Sequence, residues 1–233
     1  MKPEGMKDTW FKLLEPLFQD KRFEELKEFL RKNKPFSPDF KKVFRAFSFT
    51  EVDDTKVVIL GLSPYQGVYS DGSKVATGLA FGVEKDTTPS LECIKDALCQ
   101  DTGIITIEDY FDPTLEKWAK QGVLLLNAAL TVQTNGDARS HLIQWQWFMQ
   151  GLFEILNDKF QAMPFVFLGK DAQEFSTVVD EDKNYIIKAH HPAAASYKKG
   201  YDMYKQGVFK QIDEITYRIN KSKIEWLISE RKY

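Results

Sequence analysis

Cysteine is scarce in this chain. Only Cys93 and Cys99 occur in 233 residues, which excludes a disulfide-dense scaffold. With no histidine or second cysteine pair nearby they make a poor metal site, and they read as buried free thiols on a helix. Long apolar runs are also missing: none approaches the roughly 20 residues of a membrane span. The stretch from Met1 to Lys12 is charged and has no hydrophobic segment of signal-peptide type. The expectation is a soluble, intracellular, cytoplasmic protein with no membrane partner. Excess charge is absent too, with 32 basic and 34 acidic residues for a net −2. No overall basic field points to nucleic acid, so any DNA contact has to come from a local patch and backbone amides. No glycine-rich phosphate fingerprint follows any apolar run, which argues against a nucleotide-binding doubly wound protein.

What is present is aromatic and well patterned. The chain holds 18 Phe, nine Tyr and five Trp, too many for a disordered segment. Its 43% hydrophobic content suffices for one core, and no linker divides it. A single domain over 1–233 is expected, with an N-terminal helical part (1–50) and a motif-bearing core (55–212). Apolar spacing predicts one amphipathic helix over 8–33, ended by Lys34-Pro35-Phe36-Ser37-Pro38. Four continuous apolar runs follow: Val57 to Leu60, Val123 to Leu126, Phe165 to Leu168, and Tyr185 to Ile187. Continuous rather than alternating hydrophobicity marks strands covered on both faces. Helical patterns lie at 90–99, 114–120, 141–160, 171–179 and 203–219. Such alternation predicts an α/β fold, a three-layer α/β/α arrangement around a four-stranded parallel sheet. The runs lead into Ser63 and Tyr65, Asn127, Gly169-Lys170, and His190-His191. Ligands of open parallel sheets bind beyond the carboxyl ends of the strands, so these groups point to one crevice for a small polar or planar ligand.

In order and rough spacing these segments resemble family-1 uracil-DNA glycosylases. The family's G-Q-D-P-Y-H stretch corresponds to Gly61-Leu62-Ser63-Pro64-Tyr65-Gln66. Its G-L-x-F corresponds to Gly78-Leu79-Ala80-Phe81, and its P-S-L to Pro89-Ser90-Leu91. G-V-L-L-L-N is complete at Gly122 to Asn127, Ser140-His141 matches a Ser-His pair, and H-P-S-P-L-S corresponds to His191-Pro192-Ala193-Ala194-Ala195-Ser196. The resemblance implies a monomeric base-excision enzyme that flips deoxyuridine out of DNA into a pocket, without metal or organic cofactor. By the same resemblance Phe81 stacks on the uracil ring, and Asn127 accepts from its N3–H and donates to its O4, a pattern that cytosine inverts. Tyr65 blocks a methyl group at C5. His191 donates to O2 as charge builds on the leaving base. Leu62 belongs to the base-binding loop. Ser90, Gly169, Ala195 and Ser196 lie where DNA-backbone contacts are made through small residues and amides, and Lys170, Lys198, Lys199, Lys205 and Lys210 offer a basic rim. His190 reads as structural.

The chain departs from the family at the water site. Ser63 stands where an aspartate orients water and offsets positive charge on the sugar, and Gln66 and Leu62 replace the motif histidine and glutamine. Serine holds a water but supplies no charge. A longer segment between Gly67 and Gly78 brings Tyr69, Asp71 and Lys74. Asp71 either supplies a carboxylate from a new direction or simply serves its turn. Ala195 replaces a leucine wedge, so single-stranded DNA, which needs none, is the expected better substrate; Tyr197, Tyr201 and Tyr204 are nearby substitutes. Two alternatives to a uracil glycosylase stand: a non-catalytic uracil-DNA reader or replication accessory protein, and a glycosylase for another modified base.

Overall fold

The computed structural model describes residues 2–104, 107, 110–196, 200 and 202–227. Three short helices open the chain, α1 (Asp8–Leu13), α2 (Glu15–Gln19) and α3 (Lys21–Lys32), followed by the two-residue strand β1 (Phe36–Ser37). The rest alternates: β2 (Val57–Gly61), α4 (Pro89–Thr102), α5 (Glu116–Lys120), β3 (Val123–Asn127), β4 (Val132–Gln133), α6 (Leu142–Lys159), β5 (Pro164–Leu168), α7 (Lys170–Gln173), β6 (Tyr185–Ala189) and α8 (Val208–Asn220). The main sheet has the order β3-β2-β5-β6, and all its pairings are parallel. Every residue of β2, β3 and β5 is buried, as expected for strands with helices on both faces. At the edge, β6 leaves Lys188 exposed.

The N-terminal segment differs from the expected single helix over 8–33. Leu14 leaves helical geometry (φ −94°, ψ 5°), Pro16 sits in the first turn of α2, and Asp20 is extended and accepts from the Arg22 amide at 2.8 Å to start α3. Apolar spacing runs straight through these breaks, so periodicity alone does not register them. Likewise the pattern at 171–179 resolves into α7 and a 3-10 turn (Glu174–Val178), and α8 starts only after Gly207, at φ +62°. A small antiparallel pair, β1 with β4, ties the N-terminal part to the core. Cys93 and Cys99 lie half-buried on α4 and form no disulfide. No described helix is long and apolar enough to cross a membrane.

Buried side chains form one cluster from Met6 to Trp226. Its C-terminal end is a strap. Trp226 packs edge-on against Trp118 and Phe209, each at 4.9 Å between ring centroids. Its backbone carbonyl accepts from Trp118 Nε1 at 2.8 Å, and its own indole donates to Asp213 at 2.9 Å. Elsewhere in the core, Thr131 Oγ1 accepts from Trp145 Nε1 at 2.7 Å and hydrogen-bonds Nδ1 of His141 at 2.9 Å. Burial lowers His141 to a pKa of about 4 from the free value of 6.5.

A histidine depressed in the folded state binds its proton more readily when unfolded. Its contribution is complete above pH 6.5 and is lost as pH falls through about 4. Urea titrations across that window should show the wild type losing about 3 kcal/mol more than His141→Gln on acidification; parallel curves for the two proteins would contradict this.

Candidate functional site

The site is assembled at the carboxyl ends of the sheet strands. Parallel register sets Gly61, the last residue of β2, opposite Asn127, the last of β3. A β-carbon on Gly61 would lie 2.7 Å from Phe81 Cζ and 2.8 Å from Asn127 Oδ1. Only a bare backbone lets the ring and the amide close in on it together. Asn127 is 7% exposed. Its side-chain amide makes no hydrogen bond among the described residues, and neither of its polar atoms is sealed from solvent, so it is open to a ligand with matching donor and acceptor edges.

Phe81 adopts φ +67°, a strained conformation for a bulky residue that costs about 1–3 kcal/mol and persists only where neighbours fix it. Here they do. Ala80 N–H donates to the Leu125 carbonyl at 3.3 Å, and the Thr77 hydroxyl accepts from Leu79 N–H and donates to the Gly82 carbonyl, each at 3.3 Å. Gly78, at φ +87°, is pressed so closely on the Lys42 carbonyl that a β-carbon would stand 2.1 Å from it. The Tyr65 hydroxyl donates to the Phe81 carbonyl at 3.1 Å and contacts Thr88 Oγ1 at 2.7 Å. Burial pushes the Tyr65 phenol up to about 12, so it stays neutral.

His191 faces Phe81 with ring centroids 6.0 Å apart. The Ala193 amide donates to its Nδ1 at 3.2 Å. That bond requires a lone pair on Nδ1, so the neutral ring carries its proton on Nε2. Burial holds the imidazole below its free value; Asp171 acts the other way and Arg139 with the burial. Gly169, at φ +95°, backs the ring so tightly that a β-carbon would stand 2.9 Å from His191 Cβ. A cleft of about 660 Å3 opens beside His191, lined by Leu62, Arg139, Gly169, Asp171 and Gln206 among others. Arg139 grips Asp171 with two bonds, Nε to Oδ1 at 2.8 Å and Nη2 to Oδ2 at 2.7 Å.

The loop after β2 is pinned by its carbonyls. Gly61, Leu62 and Gln66 accept from the amides of Ala128, Ala129 and Asn135 at 2.9, 3.0 and 3.0 Å. Ser63 and Gln66 are half-buried on it. The segment from Gly67 to Gly78 folds as a small hairpin with a Val68–Lys74 bridge. Asp71 is exposed on its tip, accepts from the Ser73 amide at 2.9 Å and pairs with Lys85. The hydrogen bond from Lys85, with those from Ser73, holds its carboxyl well below the usual carboxylate range. Asp71 is thus engaged within its own turn.

Ser90 is buried. Lys205 pairs with Asp202 at 2.7 Å, and Lys170 and Lys210 are exposed. Ala195 and Ser196 belong to a 3-10 turn, Pro192–Ser196. Their side chains and that of Tyr204 are not among those described, and Tyr197, Lys198, Lys199 and Tyr201 lie outside the described residues. The His190 amide donates to Gln206 Oε1 at 2.7 Å. Sequence reasoning brought Leu62, Ser63, Tyr65, Phe81, Asn127, Gly169 and His191 to this end of the sheet, and the structure places them there. It passed over Thr88, Arg139 and Asp171. Thr88 before Pro89 carries a visible helix-start signature, but nothing in the sequence ties it to Tyr65.

Comparison with known proteins gives a consistent result. The family described as "Uracil DNA glycosylase superfamily" matches residues 47–212. A "Uracil-DNA glycosylase" of Fusobacterium nucleatum is 35% identical over 231 residues, covering 97% of each chain. One from Enterococcus faecalis is 34% identical over 233 residues, covering 97% of this chain and 98% of its own. Among solved structures, mimivirus uracil-DNA glycosylase superposes with a TM-score of 0.85 at 25% identity, covering 95% of this chain and 87% of that one. The UNG of Nitratifractor salsuginis, at 19% identity and a TM-score of 0.63 over 89% of this chain and 92% of its own, shares the fold.

Gly61→Ala drives a methyl into both Phe81 and Asn127. It should weaken binding of free uracil by tenfold or more in calorimetric titration while leaving a cooperative thermal transition; unchanged affinity would show that the close approach at Gly61 does not matter for the ligand.

Proposed function

The chain belongs to the uracil-DNA glycosylase superfamily, and on that premise we propose that it hydrolyses the N-glycosidic bond of deoxyuridine in DNA. The observation that carries this reading is the amide of Asn127, without a hydrogen bond among the described residues and set with Phe81 against Gly61, while the other neighbour of the Phe81 ring is the Nε2–H-bearing ring of His191. Uracil is planar, and its edge presents N3–H next to O4. Asn127 Oδ1 accepts from the former and Nδ2 donates to the latter, while Phe81 covers a face. Tyr65 stands at C5 and excludes a methyl group.

The base leaves with the electron pair of the N1–C1′ bond, and charge collects on O2. The neutral His191 donates from Nε2 to that oxygen. Such a donor, fixed in advance by Ala193, is worth about 3 kcal/mol in the transition state. Water then adds to C1′ and releases its proton to bulk solvent, leaving a 1′-hydroxyl on the abasic sugar and the free uracil anion. Ser63 holds this water without a carboxylate's charge to steady the cationic sugar. That omission costs about 2–5 kcal/mol at an intermediate dielectric, or roughly 30- to several-thousand-fold in rate. The enzyme works slowly, as a monomer on DNA inside the cell. It prefers single strands, because the Ala195 methyl fills a vacated base stack poorly. Ser90, Gly169 and Ser196 serve the backbone through amides and hydroxyls.

Ser63 also favours a second reading, a uracil-DNA reader without turnover. Single-turnover incubation with uracil-containing single-stranded and duplex oligonucleotides separates the two. Alkali-labile abasic sites that vanish with Asn127→Ala are expected, faster in single strands. No excision over hours at excess enzyme, with uracil-dependent binding retained, establishes the reader instead.

Restoring the charge gives a second check. Ser63→Asp should accelerate the single-turnover rate at least about 30-fold; an equal or lower rate would mean that the loop no longer aims position 63 at the sugar.

A further inference from the structure

Tyr65 has one hydroxyl proton and two close oxygen neighbours. The Phe81 carbonyl lies 3.1 Å away and Thr88 Oγ1 2.7 Å away. A carbonyl only accepts, so Tyr65 donates to Phe81, and the Thr88 hydroxyl donates to Tyr65. The Thr88 oxygen in turn accepts from Leu91 N–H at 3.2 Å, as the N-cap of α4. One directed chain results: Leu91 amide to Thr88, Thr88 to Tyr65, Tyr65 to the carbonyl of Phe81. Bonds in such a chain polarise and strengthen one another. It runs from a 14-residue helix to the residue held at φ +67°.

We propose that Thr88 is the positioning residue for the C5 wall of the pocket, fixing the tip of Tyr65 so that a 5-methyl group cannot push the ring aside. The proposal rests on the reading of Tyr65 as that wall. Rejection by contact works only if the blocking group does not yield. The Tyr65 ring is attached at its base to the loop after β2, and without a hydroxyl anchor it retreats by rotating about its side-chain torsions. Thr88 ties the other end to α4, an element outside that loop. The same chain reaches the backbone that presents Phe81, so stacking face and C5 wall are held at a fixed separation. Tyr65 keeps its bond to the Phe81 carbonyl when Thr88 is lost, so the loss weakens the anchor without abolishing it.

Binding, rather than turnover, gives the cleanest test, because it does not depend on the rate that Ser63 permits. Single-stranded oligonucleotides carrying 2′-deoxy-2′-fluoroarabinouridine, whose glycosidic bond resists cleavage, or its 5-methyl counterpart, are titrated by fluorescence anisotropy. The ratio of the two affinities reads the wall. Thr88→Val should lower the preference for the unmethylated base about tenfold, the low end of what one methyl group is worth in a shaped pocket. Tyr65→Phe removes that bond and the one to the Phe81 carbonyl, so it should lower the ratio at least as much, and the double variant no further than Tyr65→Phe alone. Thr88→Ser keeps the hydroxyl and should restore the ratio. A wild-type preference in Thr88→Val, even with a reduced melting midpoint from the lost cap, overturns the proposal, as do additive effects in the double variant. Tyr65→Ala is the control for the premise. If it keeps the preference, or if the wild type shows none, the C5-wall reading fails and the proposal falls with it.

Discussion

The close approach of two side chains to the backbone of Gly61 is the constraint on which the pocket depends. Sheet register puts Gly61 and Asn127 side by side, and the missing side chain leaves the space that Phe81 and the Asn127 amide share. Everything else in the site is built to keep that space at its present size. Phe81 reaches it only from a strained backbone, fixed by Thr77, Tyr65 and the contact of Gly78 with Lys42. His191 closes the opposite side, held by Ala193 and backed by Gly169. The pocket groups are thus preorganised by backbone geometry, and the strain at Phe81 is present before any ligand arrives.

In the proposed reaction, base recognition is separate from water activation. Recognition draws on the ends of β2, β3 and β6 and on the loop that presents Phe81: a phenol, an amide, a neutral imidazole and a ring. Water activation depends on one loop, and there a hydroxyl stands in place of a charge. Two acidic side chains of this region, Asp71 on the hairpin after the loop and Asp171 at the cleft beside His191, are already engaged. Asp71 is held by Lys85 and Ser73 at a hairpin tip, and Asp171 is gripped by Arg139. Each carboxylate already has its cation, so neither presents an unpaired charge to the sugar.

Much of this architecture was legible in the sequence because its signals are local. Four buried parallel strands announce themselves as four continuous apolar runs, and the residues directly after them fall at the sheet's carboxyl end by topology alone. Asn127, Gly169 and His191 were found that way, and the motif order supplied Phe81. What escaped was set by tertiary contact. The breaks at Leu14 and Asp20 interrupt the helix without interrupting its apolar stripe. The β1–β4 pair joins segments nearly a hundred positions apart, as Phe36 with Gln133. The Thr88–Tyr65 bond and the Arg139–Asp171 pair span 23 and 32 positions. No pattern of residue types predicts which hydroxyl or guanidinium a loop will deliver.

The strap at Trp226 bears on how the chain is made. Trp118 stands next to β3, yet its indole N–H and part of its ring are covered by Trp226 and Phe209, more than ninety positions later. A ribosome that adds 5–20 residues per second therefore leaves this flank of the sheet uncovered for several seconds after β3 has been made. By the time Phe209 and Trp226 arrive, the strands that carry Asn127 and His191 are both synthesised. The elements that bear the pocket thus exist in the chain before the rings that seal the Trp118 flank.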